Sequence, residues 1–188
     1  RMYSDYSGFV KDDWNGGIYA THGLTGSRCG NIVAQSWATM MYYGFEGYSF
    51  KANKIRNAVL KIKDSMNLIE DINVIGNPGV CVVAFCSHSL DIYKINNEMK
   101  NKGWFLNELQ YPASIHICVT QNHIPNIDKF IMDLTDSVKL VRAEQNKDLN
   151  GLEGNTSEGA SIYGTAQRVS DRRIVKQIAH NYLDILYK

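Results

Sequence analysis

The run Gly26-Ser27-Arg28-Cys29-Gly30-Asn31 stands directly before an apolar stretch with helical spacing. Its residue types suit an anion. A helix start presents unpaired backbone N–H groups and the positive end of a dipole. Gly26 and Gly30 let the backbone approach closely, Ser27 offers a hydroxyl, and Arg28 offers a planar fork fitted to phosphate or carboxylate. A plainer reading is that Ser27 caps the helix and Arg28 makes a surface ion pair. Usual nucleotide loops are unsupported, because neither a Gly-Lys-Ser/Thr run nor GxGxxG occurs. Cys29 could ionise readily at a helix start beside Arg28 and, with His22, act as a nucleophile. The simpler role for Cys29 is a small packed side chain. Tyr19 lies in Trp14-Asn15-Gly16-Gly17-Ile18-Tyr19-Ala20. Such a tyrosine can reach a ligand with its hydroxyl while its ring packs, or simply cover its own loop.

Other clusters offer less. Cys81, Cys86, His88, His116 and Cys118 match no zinc spacing, having neither CxxC nor HExxH. Cys81 and Cys86 differ by five positions, which on a strand points them to opposite faces. No metal site is expected. The pairs Asp12-Asp13 and Glu70-Asp71 lack an apolar setting that would raise a carboxyl pKa, so both are expected to be solvated.

The elements that position these residues follow from periodicity. Residues 1–28 are rich in Gly, Asp, Ser, Thr and Tyr and read mostly as loop. A helix is expected over 31–43, with Ile32, Val33, Trp37, Met40 and Met41 as its stripe and Gly44 as its stop. A second follows over 50–68, with Ile55, Val59, Ile62, Met66 and Ile69 on one face. Strands are expected at 72–75 and 80–85, on either side of Gly76-Asn77-Pro78-Gly79. Asp91 caps a helix to Lys102, with Gly103 as a left-handed stop. Strands at 104–109 and 114–119 flank Tyr111-Pro112. A helix over 127–142 carries Ile127, Ile131, Leu134, Val138 and Val141. Residues 144–160 read as a polar loop. The last helix, 171–187, is capped by Ser170 and buries Val175, Ile178, Ala179, Tyr182, Leu183 and Leu186. The fold class is α/β: a short, mostly antiparallel sheet covered by helices and open on one face at most.

Composition bounds the function. The chain has 188 residues, 44% of them hydrophobic and 21% charged, ordinary for a globular domain. Lys plus Arg is 20 against 19 acidic residues, a net charge of +1, which removes a charge-driven case for nucleic-acid binding. The basic residues of 51–63 are spaced as a solvated helix face. No apolar run reaches membrane-spanning length, so no membrane segment is expected in this chain. Four cysteines are too few for a disulfide scaffold, and three sit in apolar strand-like contexts as reduced thiols. Arg1-Met2-Tyr3-Ser4 has no signal-peptide character and reads as the interior of a longer protein.

In joint order and spacing, several motifs resemble the C-terminal part of the sphingosine-1-phosphate lyase family, pyridoxal-phosphate enzymes related to the group II amino-acid decarboxylases. They are Trp14-Asn15-Gly16-Gly17-Ile18-Tyr19-Ala20, Gly26-Ser27-Arg28, Gly76-Asn77-Pro78, Asp91-Ile92-Tyr93 and Lys102-Gly103-Trp104. Leu109-Gln110-Tyr111-Pro112-Ala113-Ser114-Ile115-His116, Ile162-Tyr163-Gly164-Thr165-Ala166-Gln167, Asp171-Arg172 and the 183–187 tail continue the series. The resemblance implies the small domain of a fold type I pyridoxal-phosphate enzyme at 29–188, with 1–28 joining it to a large domain. It also implies a homodimer with active sites at the subunit boundary. The implied reaction cleaves the C2–C3 bond of a phosphorylated long-chain base, giving a fatty aldehyde and phosphoethanolamine, with the cofactor as electron sink. The endoplasmic reticulum membrane, with the catalytic part facing the cytosol, is the implied location.

Residue by residue, Ser27 matches the family's serine that reaches the cofactor phosphate of the neighbouring subunit, Gly26 is the adjacent backbone position, and Tyr19 matches a tyrosine lining the substrate pocket. The family's Schiff-base lysine follows a histidine, and no His-Lys dipeptide occurs here. The chain alone is therefore expected to be inactive, with no catalytic residue of its own. Two departures stand near the site. Thr21-His22-Gly23 replaces the family's Ser-Pro-Thr, and Cys29 replaces a proline that would favour the first helical turn. A pyridoxal-phosphate amino-acid decarboxylase of the same fold, and a non-catalytic anion-binding or interaction domain, are the alternatives.

Overall fold

The computed structural model describes residues 8–23, 27–149, 169 and 171–186. It opens with a hairpin rather than the loop expected over 1–28. Strand β1 (Gly8–Trp14) runs antiparallel to β2 (Gly17–His22), with Trp14 opposite Gly17. The connection is Asn15-Gly16, a strong two-residue hairpin signal that the surrounding glycines disguise as general chain breaking. Gly16 lies under the Trp14 ring: an added Cβ would fall 2.5 Å from it, so a larger residue would displace that half-exposed ring. The register shifts between Lys11 and Trp14, leaving the intervening residues outside the ladder.

Helix α1 (Gly30–Met66) merges the two helices expected over 31–43 and 50–68. Gly44 breaks its regularity with φ 57° and ψ −175°, a conformation glycine adopts readily. Helical winding then resumes at once, so 45–49 is helix and not a linker. The second half buries Ala58, Val59, Ile62 and Met66. The first half buries nothing: its expected stripe of Ile32, Val33, Trp37, Met40 and Met41 is exposed, Trp37 to 63%.

A four-stranded antiparallel sheet follows, in the order β3 (Asn73–Val74), β4 (Val82–Cys86), β6 (Ser114–Cys118), β5 (Asn107–Leu109). Val83 opposes Ile117 and Phe85 opposes Ile115, so these four share one face. That face meets Val59, Ile62 and Met66 of α1, Ile95 and Met99 of α2 (Ile92–Asn101), and Phe130, Leu134 and Val138 of α3 (Ile127–Leu149). Asp91 caps α2 as expected, accepting from the backbone N–H of Tyr93 at 2.9 Å and of Lys94 at 3.4 Å. Gly103 follows with φ 89°. A 3-10 turn (Gln121–Asn126) precedes α3, and α3 continues to Leu149, so the first part of the loop expected over 144–160 is helix. The rest of that loop lies outside the described residues.

Helix α4 (Arg172–Leu186) lies against β1 and β2. It buries Val175 and Leu183, but Ile178, Tyr182 and Leu186 are exposed, against expectation. A two-stranded hairpin is too narrow to cover a full helix face. Ser170, expected as the cap, lies outside the described residues. The antiparallel sheet with helices on one face agrees with the expected α/β class.

Candidate functional site

The anion site expected from the sequence sits where the chain leaves the hairpin and enters α1. β2 ends at His22, and Gly23 takes φ 73°. Gly26 lies outside the described residues; Ser27, Arg28 and Cys29 are exposed in an irregular stretch that ends at Gly30, the first residue of α1. Cys29 occupies the N-cap position with φ −65° and ψ 133° and supplies no side-chain cap. It is not packed, so its expected role as a small buried side chain is wrong: an extended residue ahead of an uncovered helix has nothing to pack against. Ser27 stands two residues before the N-cap and so does not occupy the capping position. Asn31 bonds its own helix instead, its Oδ1 accepting from the Ile32 N–H at 2.7 Å. The first turn holds no acidic residue, and a Cβ added at Gly30 would meet nothing within 4 Å. The helix start is thus electropositive, open, and flanked by a hydroxyl and a guanidinium.

Tyr19 is placed by β2. Its ring is half in contact and half in solvent, edge-on to Phe9 at 6.1 Å and to Trp14 at 6.2 Å. The ring thus covers its own hairpin, with the residue 48% exposed.

Other sequence expectations are reordered. Asp12 is not solvated: its side chain is 16% exposed and its Oδ2 lies 3.5 Å from Arg172 Nε. Asp13 does face solvent, paired to Lys11 at 2.6 Å. Glu70 and Asp71 both engage Arg142, at 2.9 and 2.7 Å, and Asp71 also accepts from Ser89 at 2.6 Å. That hydroxyl first, and Arg142 second, hold the Asp71 carboxyl below its ordinary value. Long-range pairing, invisible in local sequence, explains why neither pair is wholly solvated. Of the strand cysteines, Cys86 is buried, which raises its thiol pKa, whereas Cys118 is exposed at the open face. Among the described residues no three His, Cys, Asp or Glu side chains converge as metal ligands.

Local reading missed the group that fixes the hairpin. Gln110 is fully buried. Its side-chain amide donates to the carbonyls of Asp12 at 3.1 Å and Trp14 at 2.7 Å. Its backbone N–H donates to the Asn15 carbonyl at 2.9 Å, and Asn15 returns a bond to the Tyr111 carbonyl at 2.9 Å. A shallow cavity of about 460 Å³ adjoins this contact, lined by Gly16, Leu106, Asn107, Glu108 and His116. Burial lowers the pKa of His116. The only sequence signal for Gln110 was its place in the Leu109 to His116 motif.

Comparison with known proteins places this geometry. No family model matches the chain. The chain is 40% identical over 175 residues to the sphingosine-1-phosphate lyase of Arabidopsis thaliana, and 36% identical over 189 residues to sphingosine-1-phosphate lyase 1 of Rattus norvegicus. The chain belongs to the sphingosine-1-phosphate lyase family. It spans about a third of the length of these curated relatives, 31% and 32% respectively. A solved sphingosine-1-phosphate lyase from Burkholderia pseudomallei is 32% identical and superposes with a TM-score of 0.60, over 79% of this chain and 34% of that one. Within this lyase family, several matched motifs have structural jobs in the chain: Asp91 caps α2, Tyr93 donates to the Leu109 carbonyl at 2.6 Å, and Trp104 donates to Asp133 at 2.8 Å.

Proposed function

We propose that the chain forms part of a pyridoxal-phosphate-dependent lyase that cleaves the C2–C3 bond of phosphorylated sphingoid bases. The observation that carries this reading is the match, 36–40% identical in the two relatives above, along nearly the whole chain. The residues present suit the cofactor's phosphate. The start of α1 has no side-chain cap from Cys29 and no acidic first-turn residue, and Gly30 keeps its approach open. Ser27 would donate its hydroxyl to that phosphate, Gly26 would lend the adjacent backbone, and Tyr19 would line the substrate pocket. When bound, pyridoxal phosphate withdraws the electron pair released as the C2–C3 bond breaks.

The chain's own share of the work is binding and orientation. Ser27 and the α1 amides counter a dianion. The Phe9–Tyr19–Trp14 cluster holds the Tyr19 ring while its hydroxyl faces the reacting molecule. The lysine that binds the cofactor covalently belongs to another part of the enzyme, so 29–188 acts as the small domain and 1–28 as its connection to a larger one. Further parts of the proposal are a homodimer and a location at the endoplasmic reticulum membrane, with the catalytic part facing the cytosol. The exposed apolar stripe on the first half of α1 supports assembly with a further surface.

The test is product identity. The complete polypeptide carrying this chain, supplied with pyridoxal phosphate, is expected to release long-chain aldehyde and phosphoethanolamine from a phosphorylated sphingoid base. Release of carbon dioxide from an amino acid instead would assign a decarboxylase. Failure to bind the cofactor in the complete protein would favour a non-catalytic anion-binding domain.

A further inference from the structure

The β1–β2 hairpin carries Tyr19, yet it is not part of the four-stranded sheet. A lone two-stranded hairpin is marginal in water and needs support from outside. Its weakest point is the register shift after Lys11, where the ladder leaves backbone groups without strand partners. Gln110 answers that defect: one neutral, fully buried amide donates to the Asp12 carbonyl inside the shift and to the Trp14 carbonyl at its far end. A primary amide is suited to this, since it places two donors on one nitrogen. Arg172, at the start of α4, closes the other side. Its guanidinium donates to the same Asp12 carbonyl, lies 3.5 Å from Asp12 Oδ2, and stacks over the Tyr111 ring with Cζ 5.6 Å from the centroid. Two distant parts of the chain, residues 110–111 and Arg172, therefore converge on residues 12–15, at the turn end of the strand that Tyr19 opposes through Lys11.

We propose that Gln110 and Arg172 are positioning residues for Tyr19, a clamp that fixes the hairpin against the sheet and α4 so that the phenol meets substrate in one orientation. The proposal rests on the reading of Tyr19 as a substrate-pocket residue. Neither residue need touch substrate. Gln110→Met keeps the side-chain length but removes both donors, and Gln110→Glu sets a carboxylate against two carbonyls. Arg172→Lys keeps the charge but loses the planar fork.

Two measurements test it. The first is amide hydrogen exchange on the complete protein that carries this chain. In Gln110→Met and Arg172→Lys the β1–β2 amides are expected to exchange at least about tenfold faster, while β4 and β6 keep their protection. Unchanged hairpin protection in both variants overturns the clamp, whatever the enzyme's activity. The second is a double-mutant comparison in the complete lyase. Gln110→Met and Tyr19→Phe are each expected to lower kcat/KM, and Gln110→Met to cost nothing further once Tyr19 is already Phe. Full additivity of the two losses overturns the positioning role while leaving the lyase reading intact. If Tyr19→Phe changes nothing, the substrate role of Tyr19 fails and the proposal fails with it, even where the exchange result stands.

Discussion

At the scale of single residues, Ser27 has the most specific expected consequence. A hydroxyl donating to a charged phosphate contributes on the order of 1.5–3 kcal/mol. Ser27→Ala is therefore expected to weaken pyridoxal-phosphate binding to the complete enzyme by roughly tenfold or more, read by cofactor titration. Folding of the chain should be unchanged, since Ser27 is exposed and does not occupy the cap position. Asp133 has the opposite character, structural and pH-sensitive. Its carboxylate accepts from Lys129 at 2.5 Å and from the Trp104 indole at 2.8 Å, and these two contacts, in that order, lower its pKa. The folded state thus binds the proton less readily than the unfolded chain. The contribution is fully present above the unfolded value of about 4 and is lost as pH falls through the lower folded value. Denaturation midpoints should be level near neutrality and drop below about pH 4, and Asp133→Asn should flatten part of that drop. An equally steep acid limb in the variant would remove Asp133 from the explanation.

At the scale of elements, stability resides where α1, α2 and α3 meet one face of the sheet. Phe85 and Ile95 are fully buried there. Phe85→Ala is expected to cost about 3–5 kcal/mol in chemical denaturation, and Tyr182→Ala on α4 under about 1 kcal/mol beyond noise. Much of this layer was legible in sequence. The spacing Val59, Ile62, Met66 and the run Ile127, Leu134, Val138, Val141 have the helical period and are buried, although buried Phe130 falls outside the expected stripe, and the Asp91 cap and Gly103 stop bracket α2. The hairpin was not legible as an element because Gly16 and Gly17 break the chain statistically whether they make a loop or a tight turn. The apolar pattern of α4 overstated its burial, since period reports which face is apolar and not whether another element is wide enough to cover it. The place of Ser27, Arg28 and Cys29 directly ahead of a helix could be read from sequence. The support of the Tyr19 hairpin could not, because Gln110 and Arg172 reach residues 96 to 160 positions away.

At the scale of the whole molecule, the first half of α1 presents Ile32, Val33, Trp37, Met40, Met41 and Phe45 to solvent, Phe45 to 88%. Continuous apolar surface of this kind drives association. The isolated chain is expected to self-associate in light scattering at high concentration, and Trp37→Glu with Met41→Glu to reduce it without lowering the unfolding midpoint. A strictly monomeric wild-type chain would count against a covered α1 in the complete protein. Among the described residues no helix is long and apolar enough to cross a membrane. The uncapped start of α1 and its exposed apolar stripe belong to one element, and the proposed function would set that start against the cofactor phosphate. The most direct measurement is a crystal structure of the complete protein with pyridoxal phosphate bound. Ser27 Oγ is expected within about 2.5–3.0 Å of a cofactor phosphate oxygen. Ser27 turned away from the cofactor, with the phosphate held wholly by other residues, would contradict it.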